Sequence, residues 1–125
     1  MANEAYDEGN IFALILKGEI PCDKVYEDDH ALAFRDINPQ RPTHVLVIPK
    51  GAYVSFDDFS ETASDAEIAG FVRAAGQIAR DLGLQDPGYR ILANHGRDGH
   101  QEVPHFHLHI FGGADCGPMI KRLDS

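Results

Sequence analysis

A chain of 125 residues has room for one domain and no second independent core, and at this length it buries enough surface to fold without disulfides or a structural metal. Hydrophobic residues at 43% and charged residues at 25%, with 12 Gly and 7 Pro spread along the chain, exclude wholesale disorder and collagen-like repeats. Eleven Lys and Arg against 20 Asp and Glu leave a net charge of −9, which disfavours generic nucleic-acid binding, because such binding relies on many cations displacing condensed counterions.

The opening MANEAYDEGN is acidic, and the apolar run Ile11 to Leu16 is too short for a signal core or a membrane span. Cys22 and Cys116 form no C-x-x-C pair and are expected to be reduced. A soluble cytoplasmic protein without membrane association is the expectation. Asn10 is a good N-cap for a short helix over IFALIL, which Lys17 and Gly18 would end. KVYED and HALAFRD, separated by Asp28 and Asp29, predict a hairpin. INPQRP is a loop stiffened by two prolines, and the β-branched THVLVIP after it predicts a central strand.

Residues 51–62 are mixed and turn-like, with Phe56 and Phe59 tucking a connection onto the core. Ser64 and Glu67 form a capping box for a long helix, in which Ile68, Phe71, Val72, Ala75, Ile78, Ala79 and Leu82 recur at helical spacing until Gly83. Ala66, Ala69, Gly70, Ala74 and Gly76 on the same helix permit close backbone approach, for which a packed helix pair across a dimer is one explanation. After the DPG turn, YRILANH predicts a strand, NHGRDGHQE a polar loop and PHFHLHIFGG a strictly alternating strand. The order predicts an α+β fold in one helical layer on an antiparallel five-stranded sheet, with one short and one long helix. Residues 1–9 and 114–125 are expected as tails of a domain over 10–113.

Five of the seven histidines fall between His95 and His109, and the last three have the spacing of one strand face. His105, His107 and His109 would then point together, roughly 6 to 7 Å per step, while Phe106, Leu108 and Ile110 enter the core. Two kinds of chemistry suit three such imidazoles. A strand H-x-H pair can present neutral imidazoles to zinc, although no H-E-x-x-H or second ligand cluster accompanies it. Alternatively one ring nitrogen attacks phosphorus or carbon while a carbonyl holds the proton on the other. The polar glycine-bearing loop before the strand offers backbone amides to an anionic group, and neither a Walker nor a Rossmann pattern occurs.

HFHLHIF resembles the histidine-triad motif, H-φ-H-φ-H-φ-φ with φ apolar. NIFALILKGEIP, VYEDDHALAFRDINPQRPTHVLVIPK, DLGL with GYRILANHGRDGHQEV, and HFHLHIFGG together resemble the Hint branch of histidine-triad nucleotide-binding proteins, from about Asn10 to Gly113. The resemblance implies a homodimer, with the sheet continued across it, and hydrolysis of purine nucleoside monophosphate conjugates, AMP or GMP linked to an amine or acyl group. It implies His107 as the nucleophile, His105 and His109 as flanking residues that orient it and contact phosphate, and His44 as a fourth histidine of the site. Asp36 would accept the ribose hydroxyls, with Phe34 and Ile37 flanking base and sugar. Ile11, Phe12 and Ile15 would form the wall against the purine, and Asn94 and the Val103 amide would contact phosphate. No cofactor and no metal are implied.

Two departures from the Hint pattern stand out. Glu102 occupies a position where many members carry a serine thought to help protonate the leaving amine, and a carboxylate there can act as general acid only in its protonated form. The tail ADCGPMIKRLDS lacks the tryptophan-bearing ending of the animal members. Three functional readings follow from the sequence: a nucleotide phosphoramidase, a nucleotide-binding module with little turnover, and a zinc-dependent hydrolase using the H-x-H-x-H segment.

Overall fold

A computed structural model describes residues 5–123 of the chain; residues 1–4 and 124–125 of the two expected tails lie outside it. Asn10 caps the first helix, α1 (Ile11–Leu16), accepting the Ala13 amide on its side chain at 2.9 Å. The helix ends in a Schellman motif: Gly18 N–H donates to Ile15 O and Glu19 N–H to Leu14 O, which needs the left-handed φ of 79° that glycine supplies. The predicted hairpin follows as β1 (Lys24–Glu27) and β2 (Ala31–Arg35). Its turn is held by Asp28, whose Oδ1 accepts the amides of His30 and Ala31.

β3 (Thr43–Pro49) is the middle of a five-stranded antiparallel sheet of order β1-β2-β3-β5-β4, where β4 is Arg90–Leu92 and β5 is Leu108–Gly112. β4 and β5 are both shorter than predicted. β5 starts at Leu108 because Pro104 has no amide to give a ladder, His105 N–H turns back onto Val103 O, and Phe106 N–H goes to Tyr53 O. β4 stops at Leu92, whose partner is His109, one residue short of the start of β5 at Leu108.

Strand alternation divides the interior in two. Ala31, Ala33, Val45, Val47 and Ile110 on one face meet Phe71, Ala74 and Ile78 of the long helix α3 (Asp65–Asp81). Leu32, Phe34, Leu46 and Ile48 on the other face meet Phe12 of α1. The helices therefore cover both faces of the central strands, not one layer as expected, which is why Ala31 through Phe34 are all buried. The capping box is present: the Ser64 hydroxyl accepts the Glu67 amide and the Glu67 carboxylate accepts the Ser64 amide.

A third helix, α2 (Phe56–Thr62), replaces the turn-like connection read over residues 51–62. Its signal is electrostatic and local rather than periodic: Ser55 caps it, and Asp57 and Asp58 lie in the first turn. Phe59 enters the core as expected, stacked on Phe106 with ring centroids 5.0 Å apart. On α3, Val72 is exposed despite its place in the apolar pattern. Gly70 needs no partner helix, because a Cβ there would lie 2.3 Å from the His30 ring, so the hairpin turn itself is what approaches. Among the described residues no helix is long and apolar enough to cross a membrane.

Candidate active site

One cavity of about 710 Å³ opens between α1, the residues after β2, the start of β5 and the loop before it. Its wall holds Ile11, Phe12, Ile15, Phe34, Asp36, Ile37, His44, Asn94, Glu102, Val103, His107 and His109, so every predicted site residue but His105 meets there. The apolar members differ in exposure. Phe12 and Phe34 are floor, buried edge to face with centroids 5.5 Å apart, whereas Ile11 is half-exposed and Ile37 stands free on the rim. Asp36 begins the proline loop with an Asx turn, its Oδ1 accepting the Asn38 amide at 2.8 Å, and its Oδ2 lies 3.4 Å from His44 Nε2.

His105 departs from the expectation that three imidazoles share a face. The turn at Val103–His105 takes it out of the strand, and it is fully buried, with Nε2 2.9 Å from Pro49 O and Nδ1 on the Tyr6 hydroxyl. It does not line the cavity, whereas His107 and His109 do, and its carbonyl lies 2.7 Å from His107 Nδ1.

Hydrogen-bond logic assigns a tautomer to each ring. Pro49 O and His105 O can only accept, so His105 carries its proton on Nε2 and His107 on Nδ1, leaving the His107 Nε2 lone pair unshared among the described residues. The Gln40 amide donates to His44 Nδ1 at 3.1 Å, so His44 is protonated on Nε2, which donates to His109 Nδ1 at 2.9 Å. His109 is then protonated on Nε2. His107 and His109 thus bring to the cavity one ring nitrogen with a lone pair and one ring N–H donor.

The protonation states agree with burial. Desolvation drives His105 and His109 down to about 4, with the neighbouring His107 adding to the depression. Burial also lowers His44 and His107, opposed at His107 by the His105 carbonyl, Asp36 and Glu102. All four imidazoles are accordingly neutral at pH 7.

The same assignments bear on metal binding. Asp36, His44 and His109 bring ligand-type atoms within 4.8 Å of one another. A metal there would need the His44 Nε2 lone pair, and the Gln40 amide forces the proton onto that nitrogen. Both ring nitrogens of His105 are also engaged, so the H-x-H-x-H segment cannot present three ligands. The residues present do not fit zinc.

Two residues of this neighbourhood escaped the sequence. His100 lines the cavity and is the one non-glycine residue with positive φ (60°) among those described; nothing in GRDGHQE distinguishes it beforehand. Tyr6, in the expected tail, reaches His105 across 99 positions, a contact no local pattern encodes.

Comparison with known proteins agrees with this geometry. A profile of the HIT domain matches residues 17–116. A HIT-like protein of 13.2 kDa from Azospirillum brasilense is 63% identical over 119 residues, covering 95% of this chain and 98% of that one. The purine nucleoside phosphoramidase of Escherichia coli K12 is 43% identical over 115 residues, covering 92% and 96%. Among solved structures, a HIT family hydrolase from Clostridium thermocellum superposes with a TM-score of 0.83 at 38% identity, covering 91% of this chain and 98% of that one. With the profile spanning most of the chain and the sheet carrying His44 and His109 to a cavity that His107 also lines, the protein belongs to the HIT domain family.

Proposed function

We propose that this protein hydrolyses purine nucleoside monophosphate conjugates through a nucleotidyl-histidine intermediate. The observation that carries the reading is the His107 ring, whose Nδ1–H is held by the His105 carbonyl while Nε2 borders the cavity with its lone pair free. The kinship to a purine nucleoside phosphoramidase supports the substrate class.

In this reading the purine lies against Ile11, Phe12, Ile15, Phe34 and Ile37, and Asp36 accepts the ribose hydroxyls. Asn94 and the Val103 amide meet the phosphate. His107 Nε2 attacks the α-phosphorus; the N–P bond forms as the bond to the amine or acyl oxygen breaks. Glu102, on the rim, gives the leaving group its proton. His109 Nε2–H donates to a non-bridging oxygen as charge accumulates. The adduct carries a cationic imidazole, which the His105 carbonyl stabilises through Nδ1–H. Water then attacks phosphorus, loses a proton to the Glu102 carboxylate and restores His107, releasing the nucleoside monophosphate.

Incubation of the protein with an AMP phosphoramidate, acid quench and intact-mass analysis tests this. The expected result is an AMP adduct that His107→Ala abolishes, with AMP binding retained within a few-fold. AMP binding without an adduct would replace the enzyme reading by that of a binding module. We also propose a homodimer joined along β4, one of the two edge strands of the sheet, where Ile91 and the preceding Tyr89 are 54% and 42% exposed.

A further inference from the structure

The His105 imidazole is fully buried, yet both of its nitrogens are satisfied. Nε2–H goes to Pro49 O, a main-chain group of the central strand. Nδ1 is left with a lone pair, and among the described residues its donor is the Tyr6 hydroxyl at 2.5 Å. The Tyr6 ring stands edge to face against the imidazole, with centroids 5.5 Å apart and planes at 68°.

Tyr6 is not a loose end. Asp7 O accepts both the Asn10 amide and the Asn10 side-chain Nδ2, and Asp7 Oδ1 accepts the Gly9 amide. Asn10 in turn caps α1, whose Phe12 ring lies edge to face against both His105 and His107. The segment therefore presents the Tyr6 hydroxyl from a braced turn.

What His105 does for the site runs through its carbonyl, which holds the His107 ring in the tautomer and orientation that leave Nε2 free. A ring pinned at Pro49 and Tyr6 pins that carbonyl; a ring pinned at Pro49 alone can swing about the Nε2 bond, and its buried Nδ1 would then seek water or a proton. We propose that Tyr6 is a positioning residue of the active site: its hydroxyl locks His105, and thereby the carbonyl that aims the His107 nucleophile. This rests on the nucleotidyl-transfer reading for its catalytic consequence, and on the hydrogen-bond geometry alone for the locking. Tyr6 touches no reacting atom, and the apparent tail becomes part of the site.

Tyr6→Phe keeps the ring and removes the hydroxyl, whereas Tyr6→Leu removes both. Locking by the hydroxyl predicts that the single-turnover rate of adduct formation falls about tenfold in both variants, with KM and AMP affinity within about twofold of wild type. In nitrogen NMR spectra of the full chain, His105 should lose its pure Nε2–H signature in Tyr6→Phe, and the His107 Nδ1–H should exchange faster with solvent. A Tyr6→Phe protein with wild-type rate and unchanged ring-nitrogen shifts would overturn the proposal, most clearly if Tyr6→Leu alone were impaired, since packing would then be the whole role. A wild-type protein that forms no adduct would instead refute the nucleotidyl-transfer reading and the catalytic consequence with it; the spectra still decide the locking.

Discussion

Glu102 is exposed on the cavity rim, and its charge is one of the influences that favour an imidazolium at His107. In its protonated form a carboxyl group in that place suits proton donation to a departing amine, which needs it, more than to an acyl carboxylate, which leaves without help. Glu102→Gln should therefore slow hydrolysis of an alkylamine conjugate by about 10²-fold and an acyl conjugate by only a few-fold, with AMP affinity unchanged. Parallel assays on the two substrates check this, and equal losses would contradict it. Asp36 shows how one residue serves two roles at this scale: Oδ1 closes the Asx turn of the proline loop, while Oδ2 remains directed toward the site beside His44.

Helix α3 displays a local rule overridden by packing. A helix-interior glycine costs about 1 kcal/mol relative to alanine, so Gly70→Ala should stabilise an isolated helix. In this fold the added Cβ would lie 2.3 to 2.4 Å from two ring atoms of His30, and overpacking of that kind costs about 1–3 kcal/mol. The second effect is larger, so Gly70→Ala should lower stability by about 1 kcal/mol, and in a His30→Ala background the same change should become neutral or stabilising. Urea denaturation of the four proteins measures the coupling; additive effects would show that the hairpin turn does not set the spacing. The glycine was visible in the sequence as an anomaly, but its cause, a histidine in a distant hairpin turn, was not.

At the scale of the whole molecule, the histidines couple the site to stability. His105 and His109 bind protons near pH 6.5 when unfolded and only near about 4 when folded. Between those values the unfolded state holds more protons, so stability rises with pH there and is lost as pH falls from about 6.5 toward about 4. Above pH ~5 the carboxylates contribute little to this slope, since even unfolded ones are largely ionised. Thermal melts from pH 5 to 7 should show the loss, and His109→Gln should flatten it. Assembly is the second whole-molecule prediction: light scattering should return twice the monomer mass, and a monomer at micromolar concentration would refute pairing along β4.

The pattern of residues along the chain was enough to predict the hairpin, the central strand and the capped long helix, because period, turn chemistry and capping are local interactions. It also assembled nearly the whole cavity through the resemblance to histidine-triad proteins, and the residue-by-residue reading already pointed to one imidazole held at one nitrogen by a carbonyl, an arrangement found at His107. Folding in three dimensions was needed to turn His105 inward, since a proline and a reversed amide break an alternation that looks unbroken on paper. It was needed as well to bring Tyr6 under that ring and to assign each proton, because a tautomer depends on which group stands opposite each nitrogen, and those groups come from remote parts of the chain.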